Sequence, residues 1–563
     1  MVKKILSYFH KEIPNINQAA LLLGLFAFCS QILALVRDRL LAHMFGPSPS
    51  LDVYYAAFRI PDFLYISIAS LASITVLVPF FIKHHDHDEQ HGTHESKRFL
   101  NEVFTAFLLV MIGISVVVCI FMPWFAKLLA PGFSGDQLHT LVQVSRIMLI
   151  SPILFGVSNL VATVTQFHKK FFVYALGPVF YNIGILIGIL LFSKYFGVVG
   201  LALGVILGAL LQLIIQIPVI ARHGYILRVT RKIDWNELRD VVKLSLPRTL
   251  GLAMNSIAIM GIVSLASLFT PGSISIFTFS YNLQSVPVNI FGVSYAVAAF
   301  PILAKFYSKE DKEGFLNHIK VAGRQIIFWS LPVMCLFIVL RAQIVRVILG
   351  SGRFSWADTR LTAAALALFV ISLVAQNLIA LLVRGYYASG NTKRPLIVNI
   401  ISSVLIVFGS FGLVSAYDHT PVMRYFIESL LRVDDVANTK LLMLPLAYSI
   451  GSIINFFILW IYFQKDFLKG RTESFFGKTF IQSFSAACFM GFTSYHALGV
   501  FAPVFNQETF FGIFLQGFFA GIVGIIFGIF ILGLMKNEQF LELKSTLHSK
   551  FWKSKSIPPA TEL

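Results

Sequence analysis

The sequence predicts an all-α polytopic membrane protein with about fourteen transmembrane helices, built as two parallel six-helix lobes plus two C-terminal helices. Three observations predict it. Mean hydropathy is +0.78 over 563 residues, and 13% of residues are charged, against about 25% in an ordinary soluble chain. Apolar runs of about 20 residues recur along the whole length, long enough to cross a bilayer. Short motifs also return in the same order about 220 residues apart, the mark of an internal repeat.

Lipid offers no hydrogen-bond partners, so every crossing segment must satisfy its own backbone. Runs this long and without alternation mean helices rather than barrel strands. The expected span cores are 19–36, 63–82, 101–126, 141–165, 173–193, 197–220, 241–269, 275–303, 324–348, 361–387, 395–416, 442–463, 475–497 and 509–534.

The start, MVKKILSYFHKEIPNINQ, is basic and then polar before the apolar run begins near Ala19. No small-residue cleavage site follows that run, so it reads as a tail and a retained first span. Basic residues gather at His168-Lys169-Lys170, 222–240, 305–320, Thr392-Lys393-Arg394, 464–473 and the tail from Lys536. Alternating crossings put all of these on one side, and the positive-inside rule makes that side the cytoplasm, with both termini there. The formal charge of +18 is thereby explained without nucleic acid.

The repeat pairs Pro131-Gly132-Phe133-Ser134 after the third span with Gly352-Arg353-Phe354-Ser355 after the ninth. FHKKFFVYALGPVFYNIGIL (167–186) pairs with YYASGNTKRPLIVNIISSVL (386–405), and Gly208 with Gln212 pairs with Gly451 with Asn455. A repeat of six spans is even, so its copies run parallel. The expected domains are an N-terminal lobe (1–221), a C-terminal lobe (222–465), two helices outside the repeat (466–535) and a basic cytoplasmic tail (536–563). Two six-helix lobes around a central site are a transporter architecture.

The stretch 30–79 carries the charges a transport path needs. Arg37, Asp38, Arg39, Asp52, Arg59 and Asp62 crowd the junction between the first two spans. A charge at membrane depth costs about 2.5–3.5 kcal/mol on insertion scales, so such residues usually face a bundle interior or a watery cavity. Interfacial anchors at helix ends are the plainer reading of any single one, and the clustering of carboxylates among arginines favours a cavity wall. Arginine stays charged when buried and binds phosphate oxygens bidentately. Arg248 and Arg384 are further candidates, with snorkelling to the interface as the plainer reading. For Arg37, a structural ion pair with Asp38 or Asp52 competes with ligand contact.

Gln31, Asn182, Gln212, Asn255, Asn282, Gln284, Gln376, Asn377 and Asn399 also fall inside spans, where most are expected to bond between helices. Four cysteines lie scattered in apolar runs and suggest neither disulfide nor metal site. HHDHDEQHGTHE (84–95) is rich in histidine and acid, but its spacing fits no defined metal site, and a solvated loop is the expectation. No Walker motif and no positioned acid–base pair appears, so catalytic residues and nucleotide hydrolysis are not expected.

VRDRLLAHMFGPSPSLDVYYAAFRIPDFL (36–64) resembles the N-terminal signature of the MurJ/MviN family of bacterial lipid II flippases, in the multidrug/oligosaccharidyl-lipid/polysaccharide exporter superfamily. Ala130-Pro131-Gly132-Phe133, GALLQLIIQIP (208–218), VPVNIFGVSYAVAAFPILAK (286–305), GSGRFSWADT (350–359) and RGYYASGNTKRP (384–395) resemble it too, so the likeness runs along nearly the whole chain. The resemblance implies two lobes rocking about a basic cavity in the bacterial cytoplasmic membrane. It implies a groove for the lipid tail on the last two helices, and lipid II or a related polyprenyl-pyrophosphate lipid as cargo. It implies substrate contact by Arg37, Asp38, Asp52 and Arg59, and no cofactor beyond coupling to Na+, H+ or the membrane potential. Cell-wall synthesis proteins are the candidate partners. Gln31, Tyr65 and Asn282 stand where the family has arginines, and Ser70-Leu71 where it has Glu-Gly. Arg248 is the candidate to compensate. Those losses keep two alternatives open: a flippase for another polyprenyl-linked glycan, or a cation-coupled drug exporter. A membrane-embedded glycosyl- or acyltransferase is the reading from a different class.

Overall fold

The computed structural model describes residues 16–68, 74–91, 94–231, 233–468 and 475–551. Every regular element among them is helical. In chain order these are α1 (Ile16–Met44), α2 (Pro49–Ala57), α3 (Arg59–Ser67), α4 (Ile74–His91), α5 (Glu95–Leu129), α6 (Gly135–Phe167), α7 (Phe171–Phe196), α8 (Val198–Arg222), α9 (Trp235–Ala266) and α10 (Ser273–Ser308). There follow α11 (Lys312–Val339), α12 (Arg341–Ile348), α13 (Trp356–Val370), α14 (Leu373–Ala388), α15 (Lys393–His419), α16 (Pro421–Leu431), α17 (Thr439–Leu468), α18 (Gly477–Phe501), α19 (Phe510–Leu534) and α20 (Glu538–Phe551).

Fourteen spans were expected. Among the described residues ten helices are long and apolar enough to cross a membrane, or eleven when α13 and α14, bent by 45° at their junction, count as one. The difference falls on three places. α18, at 25 residues, has the length but carries many polar side chains, and the side chains of residues 16–21, which open the 29-residue α1, lie outside the described residues. The expected second span is divided between α3 and α4, and residues 69–73 between them lie outside the described residues, as does the expected replacement at Ser70-Leu71.

Exposed side chains on the long helices are those lipid would touch. On α5 they are Leu109, Ile112, Val116, Ile120, Trp124 and Leu128, spaced three or four apart on one face. The other face packs inward through Phe99, Val103, Phe107 and Met111 against Leu77, Leu160 and Val241.

By internal contacts the chain forms two compact units. One comprises 1–280, 348–362 and 395–451, the other 281–347, 363–394 and 452–563. Within the first, α7 and α8 cross on glycine. A Cβ on Gly184 would overlap the backbone of Gly208, and one on Gly188 that of Gly204. Small residues at this spacing let backbones touch where lipid provides no hydrophobic drive between helices.

The two repeated turns have one design. Ser134 opens α6 with a capping box: its N–H donates to Gln137 Oε1 at 3.1 Å. Ser355 opens α13 likewise, its N–H donating to Asp358 Oδ2 at 2.8 Å while Asp358 N–H returns to Ser355 Oγ at 3.1 Å. Each exchange satisfies N–H groups that a helix start leaves without partners. Each turn also seats on a helix end from the other half of the chain. Gly132 N–H donates to Ser267 Oγ at 3.2 Å, just beyond α9, and Arg353 N–H donates to the His43 carbonyl at 3.1 Å, at the end of α1.

The second unit closes around α18 and α19. A Cβ on Gly524 would strike Ser494, and one on Gly491 would strike Cys335 of α11. Phe328, Ala486 and Leu532 form a core there. Glu538 of α20 pairs with Arg324 at 3.2 Å and Lys478 at 2.9 Å.

Candidate functional site

The polar junction expected at 30–79 is present in the first unit. α1 brings Arg37 and Asp38 together: Arg37 Nε and Nη2 each lie 2.9 Å from Asp38 Oδ1. The Asp38 side chain is 4% exposed and that of Arg37 is 21% exposed. The pair is therefore buried on its acidic side, while the guanidinium keeps an open edge. Arg39 Nη1 reaches the Ile348 carbonyl at 3.4 Å.

α2 is short and almost wholly buried, from Leu51 to Ala57. Ser48 caps it, accepting from Leu51 N–H, and Pro49 starts it with a backbone φ already suited to helix. α3 follows, and its Arg59 Nη2 donates to Thr278 Oγ1 of α10 at 3.4 Å. Asp62, one turn on, is exposed and within electrostatic reach of Arg59.

Aromatic side chains join these charges. Tyr55 lies within electrostatic reach of Arg37, Asp38 and Arg59, and Tyr54 of Arg37, Asp38 and Asp62. Tyr181 of α7 reaches Arg37, Asp62 and Tyr65 in the same way. Tyr65 accepts weakly from Asn159 Nδ2 at 3.5 Å and packs on Phe155, which in turn packs on Tyr181. The result is two partly exposed guanidinium groups and one exposed carboxylate, with the half-buried Tyr65 and Tyr181 beside them and Tyr54 and Tyr55 buried behind. Such a wall can hold an anionic group in the open fork of an arginine and sugar or amide groups on tyrosine hydroxyls.

Asp52 sits elsewhere. It is 3% exposed, and its oxygens accept from Gly272 N–H (2.6 Å), Ser275 N–H (2.8 Å) and Ser275 Oγ (2.6 Å). The carboxylate caps the start of α10, a role the spacing of the sequence does not reveal. Gln31 lies half-buried on α1. Arg248 lies on α9, and its side chain is outside the described residues. Asn282 is half-buried and belongs to the second unit, where Gln284 Nε2 donates to Gln376 Oε1 at 3.0 Å. In that unit Arg384 stacks over the Phe300 ring at 5.6 Å.

Several intramembrane amides bond between helices as expected. Asn182 Nδ2 donates to Ser30 Oγ at 3.0 Å, Asn377 Nδ2 to Ser330 Oγ at 2.8 Å, and Asn399 Nδ2 to the Gly251 carbonyl at 3.3 Å.

The histidine-rich segment is a correction. It is helical through His91 rather than a loop, with residues 92–93 outside the described set. Asp88 accepts from Glu95 N–H at 2.6 Å and Ser96 N–H at 2.9 Å, and so caps α5. His84 Nε2 lies 2.5 Å from Glu237 Oε1 of α9. His87 Nδ1 likewise lies 3.2 Å from Glu95 Oε2. No group of three or more metal-ligating side chains is placed to hold an ion among the described residues.

Sequence reasoning missed Tyr54, Tyr55, Tyr181 and Thr278. A signal existed for Tyr181: Tyr174 and Tyr181 lie seven apart on α7, two turns along one face, and both sit near Tyr65.

Residues 41–517 match the family described as lipid II flippase MurJ. A probable lipid II flippase MurJ of Buchnera aphidicola subsp. Schizaphis graminum is 26% identical over 470 residues, covering 82% of this chain and 86% of that protein. Its counterpart from Buchnera aphidicola subsp. Baizongia pistaciae is 24% identical over 538 residues, covering 94% and 99%. Among solved structures, a lipid II flippase MurJ in an inward closed conformation superposes with a TM-score of 0.71 at 22% identity, covering 93% of this chain and all of that one. An inward-facing multidrug resistance MATE transporter of the MOP superfamily gives 0.61 at 16% identity, covering 79% and 96%. The fold is thus the one shared by MurJ and MATE transporters, and the matched stretch covers most of the chain. This multi-pass, non-enzymatic membrane protein belongs to the lipid II flippase MurJ family.

Proposed function

We propose that the chain moves lipid II, a polyprenyl-pyrophosphate-linked glycopeptide, from the inner to the outer leaflet of the bacterial cytoplasmic membrane by alternating access. The observation that carries the reading is the Arg37–Asp38 pair at 2.9 Å, its carboxylate buried and its guanidinium 21% exposed, in a chain otherwise built for lipid. A pyrophosphate headgroup cannot cross hydrocarbon unaided. A guanidinium with one edge open lowers that cost, because the charge it needs is held in place by Asp38 before cargo arrives. The lipid tail stays in the bilayer. α18 and α19 support a tail groove, since Phe480, Phe484, Phe511 and Phe518 are exposed along them.

The distribution of lysine and arginine supports a cytoplasmic position for both termini. Driving energy would come from an ion gradient or the membrane potential, at about 2.3 kcal/mol per charge per 100 mV. Cell-wall synthesis proteins are the proposed partners. A second reading, another polyprenyl-pyrophosphate glycan as cargo, is favoured by one observation: Gln31, Tyr65 and Asn282 are uncharged at positions where the resemblance implies arginine.

Complementation of cells depleted of their own lipid II flippase tests the proposal, scored by lipid II on the outer face. Rescue by the wild type and loss with Arg37→Ala, at equal membrane levels, supports it. Correct insertion without rescue overturns lipid II as cargo and turns the search to other lipid-linked glycans.

A further inference from the structure

We infer that α16 is an interfacial helix whose unpacked face rests in the headgroup region of the bilayer, anchoring the link between two spans to lipid.

α16 has eleven residues, PVMRYFIESLL, with Pro421 at its start and Arg432 in a left-handed conformation (φ 60°) ending it. Both of its faces are apolar. Ile427 and Leu431 are buried. Val422, Tyr425, Phe426 and Leu430 are 77%, 69%, 63% and 60% exposed. Their spacing of i, i+3, i+4 and i+8 makes one stripe. In water such a stripe would be a liability. In the interface it is the composition expected of a helix that lies on a membrane, with an aromatic at its rim.

The height of the helix is set by hydrogen bonds. Glu428 Oε1 accepts from Tyr417 Oη at 2.7 Å and from Thr439 Oγ1 at 2.6 Å. Tyr417 is in the last turn of α15 and Thr439 is the first residue of α17, both of them candidate spans. α15 has 27 residues, about 40 Å at 1.5 Å per residue. That exceeds the roughly 30 Å hydrocarbon core and brings its end into the interfacial layer. Glu428 ties α16 to both span ends and holds it at that level.

The occupant is argued from continuity. The exposed stripe of α15, Val404, Phe408 and Phe411, is the surface a span gives to lipid. It leads toward the end where α16 begins, after Thr420 alone. An apolar stripe on a helix tied to that end extends the same lipid contact into the interface.

The test is site-directed spin labelling in liposomes of phosphatidylethanolamine and phosphatidylglycerol. Single cysteines replace Val422, Phe426 or, as an aqueous reference, exposed Asp434, in a chain whose four native cysteines are serine. Labels at 422 and 426 are expected to favour oxygen over a nickel chelate at least about fivefold more than the label at 434, as a depth of about 5–10 Å below the surface requires. Equal nickel access at all three sites overturns the inference. Nickel access in purified liposomes with protection in cell envelopes also overturns it and makes the occupant another protein. Where a cysteine variant unfolds, a lipid-soluble photoactivated diazirine on the unsubstituted protein replaces it. Carbene adducts on the peptide 421–432 support the inference, and their absence overturns it. None of these readouts involves transport, so the result is independent of the flippase reading.

Discussion

Asp52 and Ser275, 223 positions apart in the chain, share two hydrogen bonds: Asp52 Oδ1 accepts both the N–H and the hydroxyl of Ser275, at 2.8 and 2.6 Å. With Gly272 on the other oxygen, one carboxylate organises the start of α10 from the second helix of the chain. Hydrogen bonds to a buried charge contribute about 1.5–3 kcal/mol each, and breaking such a set costs more than its net worth because donors are left stranded. Asp52→Ala is therefore expected to lower stability by about 2–4 kcal/mol and to loosen α10 locally. Hydrogen exchange over 270–280 reports this. Acceleration confined to that segment and its partners is the expected result, and an unchanged exchange rate would remove Asp52 from this role.

Tyr181 packs edge-on against Phe155, which packs on Tyr65, and is within electrostatic reach of Arg37 and Asp62, so the proposal puts its hydroxyl on the path. Tyr181→Phe keeps the ring against Phe155 and removes one oxygen. Losing a hydrogen bond of about 1 kcal/mol reduces binding roughly fivefold. Transport of lipid II in proteoliposomes is expected to fall by about that factor, with thermal stability unchanged. Equal loss of transport and stability would mean a packing role instead.

Arg37, Asp38 and Arg59 stood out as candidates because charge in an apolar run is costly. The interhelical amides were legible for the same reason. Asp52 was visible as a charge but not as a cap, since its partners lie at 272–275 and nothing local points there. The histidine-rich segment read as a loop because its composition is polar. In the folded chain Asp88 and His84 find partners at 95–96 and 237, which lets α4 run on to His91. Tyr181 hid among many aromatics in apolar helices, where only its spacing from Tyr174 set it apart. The repeat was legible as paired motifs, but not its physical use: each Gly-x-Phe-Ser or Pro-Gly-Phe-Ser turn seats on a helix end of the other half.

The glycine crossing of α7 and α8 predicts a sharp steric limit. Gly204 and Gly188 each face the other's backbone without room for a Cβ. Gly204→Leu must part the helices or unfold them. The expected cost is above about 3 kcal/mol, in the range of the severest single substitutions. Gly409, where a Cβ would meet nothing within 4 Å, serves as control: Gly409→Leu is expected to be neutral within about 0.5 kcal/mol. Thermal melts of both variants in nanodiscs check the pair. Similar midpoints would mean the crossing is looser than the backbone contact implies.

Glu428 predicts a pH effect at the end of α15. Burial alone would raise its carboxyl, but hydrogen bonds from Thr439, Tyr417 and Arg424 outweigh it and hold it below the usual carboxylate range. A carboxyl whose value is lowered by folding contributes stability above its unfolded value, near 4.3, and loses that contribution as pH falls through the folded value. Exchange protection of 417–439 is therefore expected to be flat from neutral pH to about 5 and to weaken below about 4. In Glu428→Gln the ionisable group is gone, so protection should be lower at neutral pH and should no longer depend on acid in that window. Retained acid sensitivity in the variant would assign the effect to another group, with Asp435, held low by its hydrogen bond to Arg360, the next to substitute.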